Sequence, residues 1–153
     1  MRQINAAGLA LIKEFEGCKL VAYRDQKGIL TIGTGHTGEH VTEGLMISQH
    51  KADELLQEDL HDKEEKLDAM LPRSLNENQF SALVCFAFNC GVEALHSSTL
   101  FKYLEHGYIT QAADEFLKWD KINIRGKYIP DPGLLRRRRA ERELFLKPVA
   151  ALA

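Results

Sequence analysis

Six of the eleven glycines in this chain fall between Gly17 and Gly44, a density that no long helix tolerates. Gly28, Gly33, Gly35, Gly38 and Gly44 cut this stretch into short runs: Leu20 to Tyr23, Ile29 to Ile32, and the region around Val41. These runs are rich in β-branched and aromatic residues. The texture predicts a small sheet of three antiparallel strands with tight turns, the first turn centred on Lys27-Gly28.

On either side the apolar periodicity is helical. Asn5 is placed to cap a first helix that carries Leu9, Ile12 and Phe15 and stops at Gly17. Ser48 can cap a long helix with a buried stripe of Ala52, Leu55, Leu56, Leu60, Leu67 and Leu71, ending at Pro72. Asn76 and Gln79 form a capping-box pattern ahead of Phe80 to Phe88, which is apolar nearly all round and so predicts a buried central helix. Shorter helices are expected from Ser98 to His106 and from Thr110 to Trp119. Pro130 to Gly133 then breaks the chain before a last helix through Arg136 to Leu146. The expected fold is a single α+β domain over residues 1–153. A three-stranded sheet lobe at about residues 17–45 joins a mostly helical lobe.

Composition narrows the function. The chain has 153 residues, 44% hydrophobic and 27% charged, ordinary for one folded domain and unlike a disordered segment. A formal net charge of -2 gives no bulk attraction to nucleic acid or an anionic membrane. The charge is uneven, however. Glu39 to Asp68 is rich in acids, and Arg136 to Arg139 is a run of four arginines. That run is either a solvated helix face or an anion contact; no aromatic platform accompanies it as a nucleic-acid reader would require. Cys18, Cys85 and Cys90 show no metal-ligand spacing and no CxxC, which fits a reducing compartment. His40, His50, His61, His96 and His106 show no zinc spacing, so neither metal nor cofactor is expected. The first residues do not read as a signal peptide, and no run of ~18 apolar residues exists to anchor the chain in a membrane.

The chemistry concentrates between Glu16 and Thr37. Glu16 ends the first helix, Asp25 ends a strand, and Thr31 lies on the strand returning from the turn, so a hairpin would bring Asp25 and Thr31 together. Two carboxylates in different surroundings are what glycoside hydrolysis requires: one protonated to serve the leaving oxygen, one ionised. Glu16, beside Phe15, is the candidate acid. Asp25, between Arg24 and Gln26, is the candidate carboxylate. Spacing alone is equally consistent with a capped helix and a solvated turn.

The whole segment is more specific. Glu16-Gly17, Tyr23-Arg24-Asp25, Gly28 and Thr31-Ile32-Gly33-Thr34-Gly35-His36-Thr37 resemble, without a gap, the signature of phage-type lysozymes, the endolysins of glycoside hydrolase family 24. The resemblance implies a lysozyme-like fold with Glu16 as general acid, Asp25 as second carboxylate and Thr31 holding the attacking water. It implies hydrolysis of the β-1,4 bond between N-acetylmuramic acid and N-acetylglucosamine in peptidoglycan, with inversion, leading to host-cell lysis and phage release. Phe88-Asn89-Cys90-Gly91 looks like the family's Phe-Asn-x-Gly turn, which lines the sugar cleft. Phe88, Asn89 and Thr37 are therefore expected at the substrate, although Phe88 also suits the core. Arg138 to Arg142 resembles the family's basic C-terminal helix, with Arg139 the best candidate to approach Glu16. By the same likeness Asp59 is expected to pair with His36. Trp119 suits either core packing or sugar stacking. The chain is expected to act as a monomer, to accumulate in the host cytoplasm, and to reach the wall through a separate holin. A lytic transglycosylase, which needs only the glutamate, and an inactive wall-binding protein are the rivals, and Asp25 and Thr31 argue against both.

Overall fold

A computed structural model of the chain describes residues 1–149. The chain divides into two compact units, one formed by Ile12–Asp62 and the other by Met1–Leu11 with Lys63 onward.

In the first unit, helix α1 (Ala6–Glu16) delivers its last residues and stops at Gly17, whose φ of 68° ends the helical conformation. Strand β1 (Lys19–Arg24) pairs antiparallel with β2 (Leu30–Gly33), setting Tyr23 opposite Thr31 and Arg24 opposite Leu30. The expected third strand around Val41 does not form. The chain from Thr37 to Gly44 runs through turns, and Val41 buries its side chain with Ile32 and Leu55 instead. What lies beside β1 is a short segment further on: Ala22 N donates to Leu45 O at 2.9 Å and Ile47 N to Leu20 O at 2.9 Å, with an isolated bridge between Val21 and Met46. The ladder is therefore two-stranded. Because Leu55 closes its core from the helix after Ser48, the compact unit extends well beyond residue 45.

That helix, α2 (Gln49–Met70), is capped by the Ser48 hydroxyl, which accepts from Lys51 N at 3.1 Å. Its expected stripe of Ala52, Leu55, Leu56, Leu60 and Leu67 is buried throughout, as is Leu71 just past its end.

The second unit is built around α3 (Glu77–Cys90), whose capping box is complete: Asn76 accepts from Gln79 N while Gln79 accepts from Asn76 N, both at 2.8 Å. Its residues from Phe80 to Ala87 are all buried, as expected of a helix apolar on every side. Around it lie α4 (Val92–His96), α5 (Thr99–Glu105), α6 (Ile109–Glu115), a 3-10 turn (Phe116–Lys118) and α7 (Pro132–Leu146). Phe116 stacks on Phe86 at 5.5 Å and meets Phe145 edge-on at 5.2 Å, closing the core.

A second hairpin, β3 (Lys121–Ile124) with β4 (Lys127–Pro130), was not expected. Its signals are present in Ile122-Asn-Ile124 and Tyr128-Ile129 flanking Arg125-Gly126. Both turn residues have positive φ, 51° and 82°, which suits the twist of a two-residue hairpin turn. The chain is thus α+β, as the sequence suggested, with two hairpins in place of one three-stranded sheet.

Candidate active site

Glu16 is the last residue of α1 and is half-buried, at the point where Gly17 turns the chain into β1. Nine residues on, Asp25 closes the β1–β2 turn. Its Oδ1 accepts from the backbone N–H of Lys27 at 2.8 Å and of Ile29 at 2.9 Å. Its own N–H donates to Ile29 O at 3.0 Å, and its carbonyl accepts from Gly28 N at 2.9 Å. The turn therefore fixes one carboxylate oxygen, while Oδ2 makes no hydrogen bond among the described residues. The turn thus sets the direction in which the carboxylate points.

Thr31 is buried on β2, and its hydroxyl donates to Ile29 O at 2.9 Å. A hydroxyl has one proton and two lone pairs, so a water meeting Thr31 Oγ1 in this arrangement must donate to it. Such a water keeps its own lone pairs free for attack.

Tyr23 links the three groups. It faces Thr31 across the ladder, and its phenol is pushed above the usual range by burial, then by the charge of Glu16, then by that of Asp25. Both carboxylates therefore act on one point of the same unit. Lys19 Nζ lies over the Tyr23 ring at 4.3 Å from its centroid. Sequence reading had used Tyr23 only as a motif position.

His36 and Asp59 meet: Nδ1 lies 2.8 Å from Asp59 Oδ2. The other ring nitrogen of His36 lies 2.7 Å from Nε2 of His40, a partner the sequence reading set aside. Gly38 makes that contact possible, since a Cβ there would sit 2.8 Å from His40 Cε1. The overlooked signal was the four-residue spacing of the two histidines around this glycine. Thr37 is exposed beside them, whereas Thr34 is buried.

In the other unit, α3 ends in Phe88, half-buried with Lys63 Nζ 5.6 Å from its ring centre, and Asn89, exposed. The four arginines of α7 divide in two. Arg136 and Arg139 are exposed, while Arg137 and Arg138 are buried against the fully buried Glu141, with closest approaches of 3.1 Å and 2.6 Å. Half of the run is thus interior structure, which neither a solvated face nor an anion-collecting patch anticipates. Arg139 lines a shallow groove with Leu117, Arg142 and Glu143. Trp119 meets Phe86 edge-on at 5.3 Å, a packing role, and also borders a groove beside Asn89. Among the described residues no group of three His, Cys, Asp or Glu side chains is arranged to hold a metal ion.

The chain as a whole is similar to known proteins. The family model described as phage lysozyme matches residues 13–141. An endolysin of Salmonella phage P22 is 43% identical over 151 residues, covering 95% of this chain and 99% of that protein. An endolysin of Bacillus phage B103 is 44% identical, but the chain spans only 54% of that longer protein. Among solved structures, the muramidase domain of SpmX from Asticaccaulis excentricus superposes with a TM-score of 0.90 at 36% identity, covering 97% of this chain and all of that one. A P22 lysozyme mutant superposes at 0.82 with 40% identity, over 96% of this chain and 100% of that one. With the family model spanning the carboxylates, the hairpin and the basic helix alike, the chain belongs to the phage lysozyme family.

Proposed function

We propose that the chain is an endolysin that hydrolyses the β-1,4 bond between N-acetylmuramic acid and N-acetylglucosamine in bacterial peptidoglycan. The observation that carries this reading is the β1–β2 hairpin next to the end of α1: Glu16 closes the helix, the turn fixes Asp25 Oδ1, and the register sets Thr31 opposite Tyr23. Glu16 gives its proton to the leaving oxygen. Asp25, with Oδ1 tied to the turn, offers Oδ2 to the water that Thr31 also holds. Direct attack by that water inverts the anomeric carbon, so the new reducing end is released first as the α-anomer. Phe88, Asn89 and Thr37 serve the substrate, Arg139 supports Glu16, and His36 with Asp59 braces the β1–β2 unit. The enzyme works as a monomer without metal. It collects in the host cytoplasm and reaches the wall when a separate holin opens the membrane. Support for the substrate comes from the relatives named endolysin and the neighbour named muramidase.

The test is digestion of purified peptidoglycan with identification of the new ends. Free reducing muramic acid is expected, its anomer followed by NMR. Glu16→Gln keeps the shape of the side chain and removes its proton, so the rate should fall by ~10²–10⁴-fold with the fold intact. Anhydro-muramic ends would instead identify a lytic transglycosylase, and near-normal lysis by pure Glu16→Gln would remove the assignment of the acid.

A further inference from the structure

We propose that Arg138 is a positioning residue for substrate binding: it fixes the Asn89 amide so that the NH2 group reads a carbonyl or carboxylate oxygen of peptidoglycan. The inference rests on the muramidase reading above. It starts from a groove of about 540 Å³ bordered by Asn89, Arg138, Trp119, Tyr128 and Leu134. Arg138 cannot itself serve a ligand there. It is 1% exposed, and its guanidinium is committed on every side. Nε donates to Trp119 O at 2.9 Å, Nη1 to Glu141 at 2.6 Å, and Nη2 to Cys90 Sγ at 2.9 Å and to Asn89 Oδ1. The ring of Phe86 lies 5.0 Å from the guanidinium carbon.

The bond to Asn89 settles which way that amide faces. A guanidinium has five donors and no acceptor, so only the oxygen of the amide can meet it. Asn89 is exposed at the end of α3, and its NH2 makes no hydrogen bond among the described residues. The group left to the groove is therefore a donor pair. Its match is a carbonyl or carboxylate oxygen, which peptidoglycan carries on its acetamido groups and on its peptide stems. Were Arg138 absent, the amide could rotate and offer oxygen as readily as nitrogen. Arg138 thus acts on the substrate only through Asn89.

Kinetics on soluble peptidoglycan fragments test this. Asn89→Asp keeps an acceptor for Arg138 and removes the donors, and Asn89→Leu removes both without adding charge. Each should raise KM about 3- to 10-fold, the worth of one hydrogen bond, with the loss falling on KM rather than kcat. Arg138→Lys, checked for folding by its thermal midpoint, should give a similar rise. The double variant Arg138→Lys with Asn89→Asp should be no worse than Asn89→Asp alone. Arg138→Gln replaces Arg138→Lys if that variant does not fold; its amide carries an acceptor as well as donors, no longer selects the oxygen of Asn89, and should raise KM to a similar extent. On glycan stripped of stems by an amidase, a persisting Asn89 defect assigns the acceptor to the sugar acetamide, and a vanishing defect assigns it to the stem. An unchanged KM in either Asn89 variant, or multiplying effects in the double variant, would overturn the inference. Absence of reducing ends from the parent protein would instead bring down the muramidase reading itself.

Discussion

Glu141 is shared by two arginines: Arg138 approaches Oε1 at 2.6 Å and Arg137 approaches Oε2 at 3.1 Å, and all three side chains are buried. Both contacts lie one turn apart on α7, at i,i+3 and i,i+4, so the helix itself sets their geometry. Arg137 also donates to Cys85 O at 3.0 Å, which ties α7 to the central α3. Two interior guanidiniums therefore meet on one buried carboxylate.

Removing that carboxylate should therefore cost far more than a surface ion pair. Glu141→Gln leaves the Arg138 guanidinium, whose other contacts are to neutral groups, buried without its carboxylate and should lower unfolding free energy by about 3–5 kcal/mol. Denaturant titration of the parent and variant measures it. A loss of less than about 1 kcal/mol, typical of exposed pairs, would show that water or another group compensates the arginines.

The Tyr23 phenol gives a spectroscopic readout of the carboxylates. Its pKa is raised by burial first and then by Glu16 and Asp25, so neutralising either acid should bring it down. Ultraviolet titration of the tyrosinate band, with Tyr23→Phe to identify the relevant phenol, should show a downward shift in Glu16→Gln and a smaller one in Asp25→Asn. The phenolate is the charged form that both carboxylates oppose, which fixes the sign. No shift in either variant would mean the two acids do not share Tyr23.

His36 and Asp59, with Nδ1 and Oδ2 at 2.8 Å, should be energetically coupled. A double-mutant cycle of His36→Asn and Asp59→Asn should return about 1.5–3 kcal/mol, the range for hydrogen bonds to charged groups. His40 is exposed, and its 2.7 Å contact has room for one proton between two ring nitrogens. His40→Ala should therefore cost under about 1 kcal/mol. A cycle that returns zero would reduce the His36–Asp59 contact to proximity.

The sequence made some of this legible and hid the rest for identifiable reasons. Local signals carried furthest. The Asn76–Gln79 capping box, the Ser48 cap, the buried stripe of α2 and the β1–β2 turn at Asp25 all depend on residues within four positions of one another. The third strand failed because Val41 satisfies its apolar side chain by burial against Ile32 and Leu55, with no need for a ladder. The β3–β4 hairpin was missed because most of its residues are exposed, so no apolar face announces it. Arg137 and Arg138 were read with their neighbours as one charge run, although Glu141 stood three and four positions away. Charge signs along a helix show which pairs are possible; burial decides which are made. Within the candidate site, Glu16, Asp25 and Thr31 could be marked by their motif, but Tyr23 as their common neighbour required the strand register.

Asp68 provides the pH dependence with the clearest sign. Arg2 donates to its Oδ1 from Nε at 2.8 Å and from the backbone at 3.1 Å, and Arg73 approaches the same oxygen at 3.1 Å. Arg2 also donates to the carbonyls of Leu71 and Pro72 at 3.0 Å and 2.8 Å, so it caps the end of α2 while it holds Asp68. The Arg2 side-chain bond, then its backbone bond, and then the Arg73 charge hold the carboxyl at about 2, against an ordinary value of 3.8. A depressed carboxyl contributes stability that is present above the unfolded value and is lost as pH falls through the folded one. Thermal midpoints of the parent and Asp68→Asn should therefore differ by a constant amount from neutral pH down to about pH 5, with the parent higher. The gap should narrow below the ordinary 3.8 and close only once the pH has fallen below about 2, where Asp68 is protonated. Added salt should shrink the gap only in part, because the hydrogen bonds from Arg2 survive screening better than the charge of the exposed Arg73 does. A gap that persisted undiminished below pH 2 would show that Asp68 acts through packing and not through its charge.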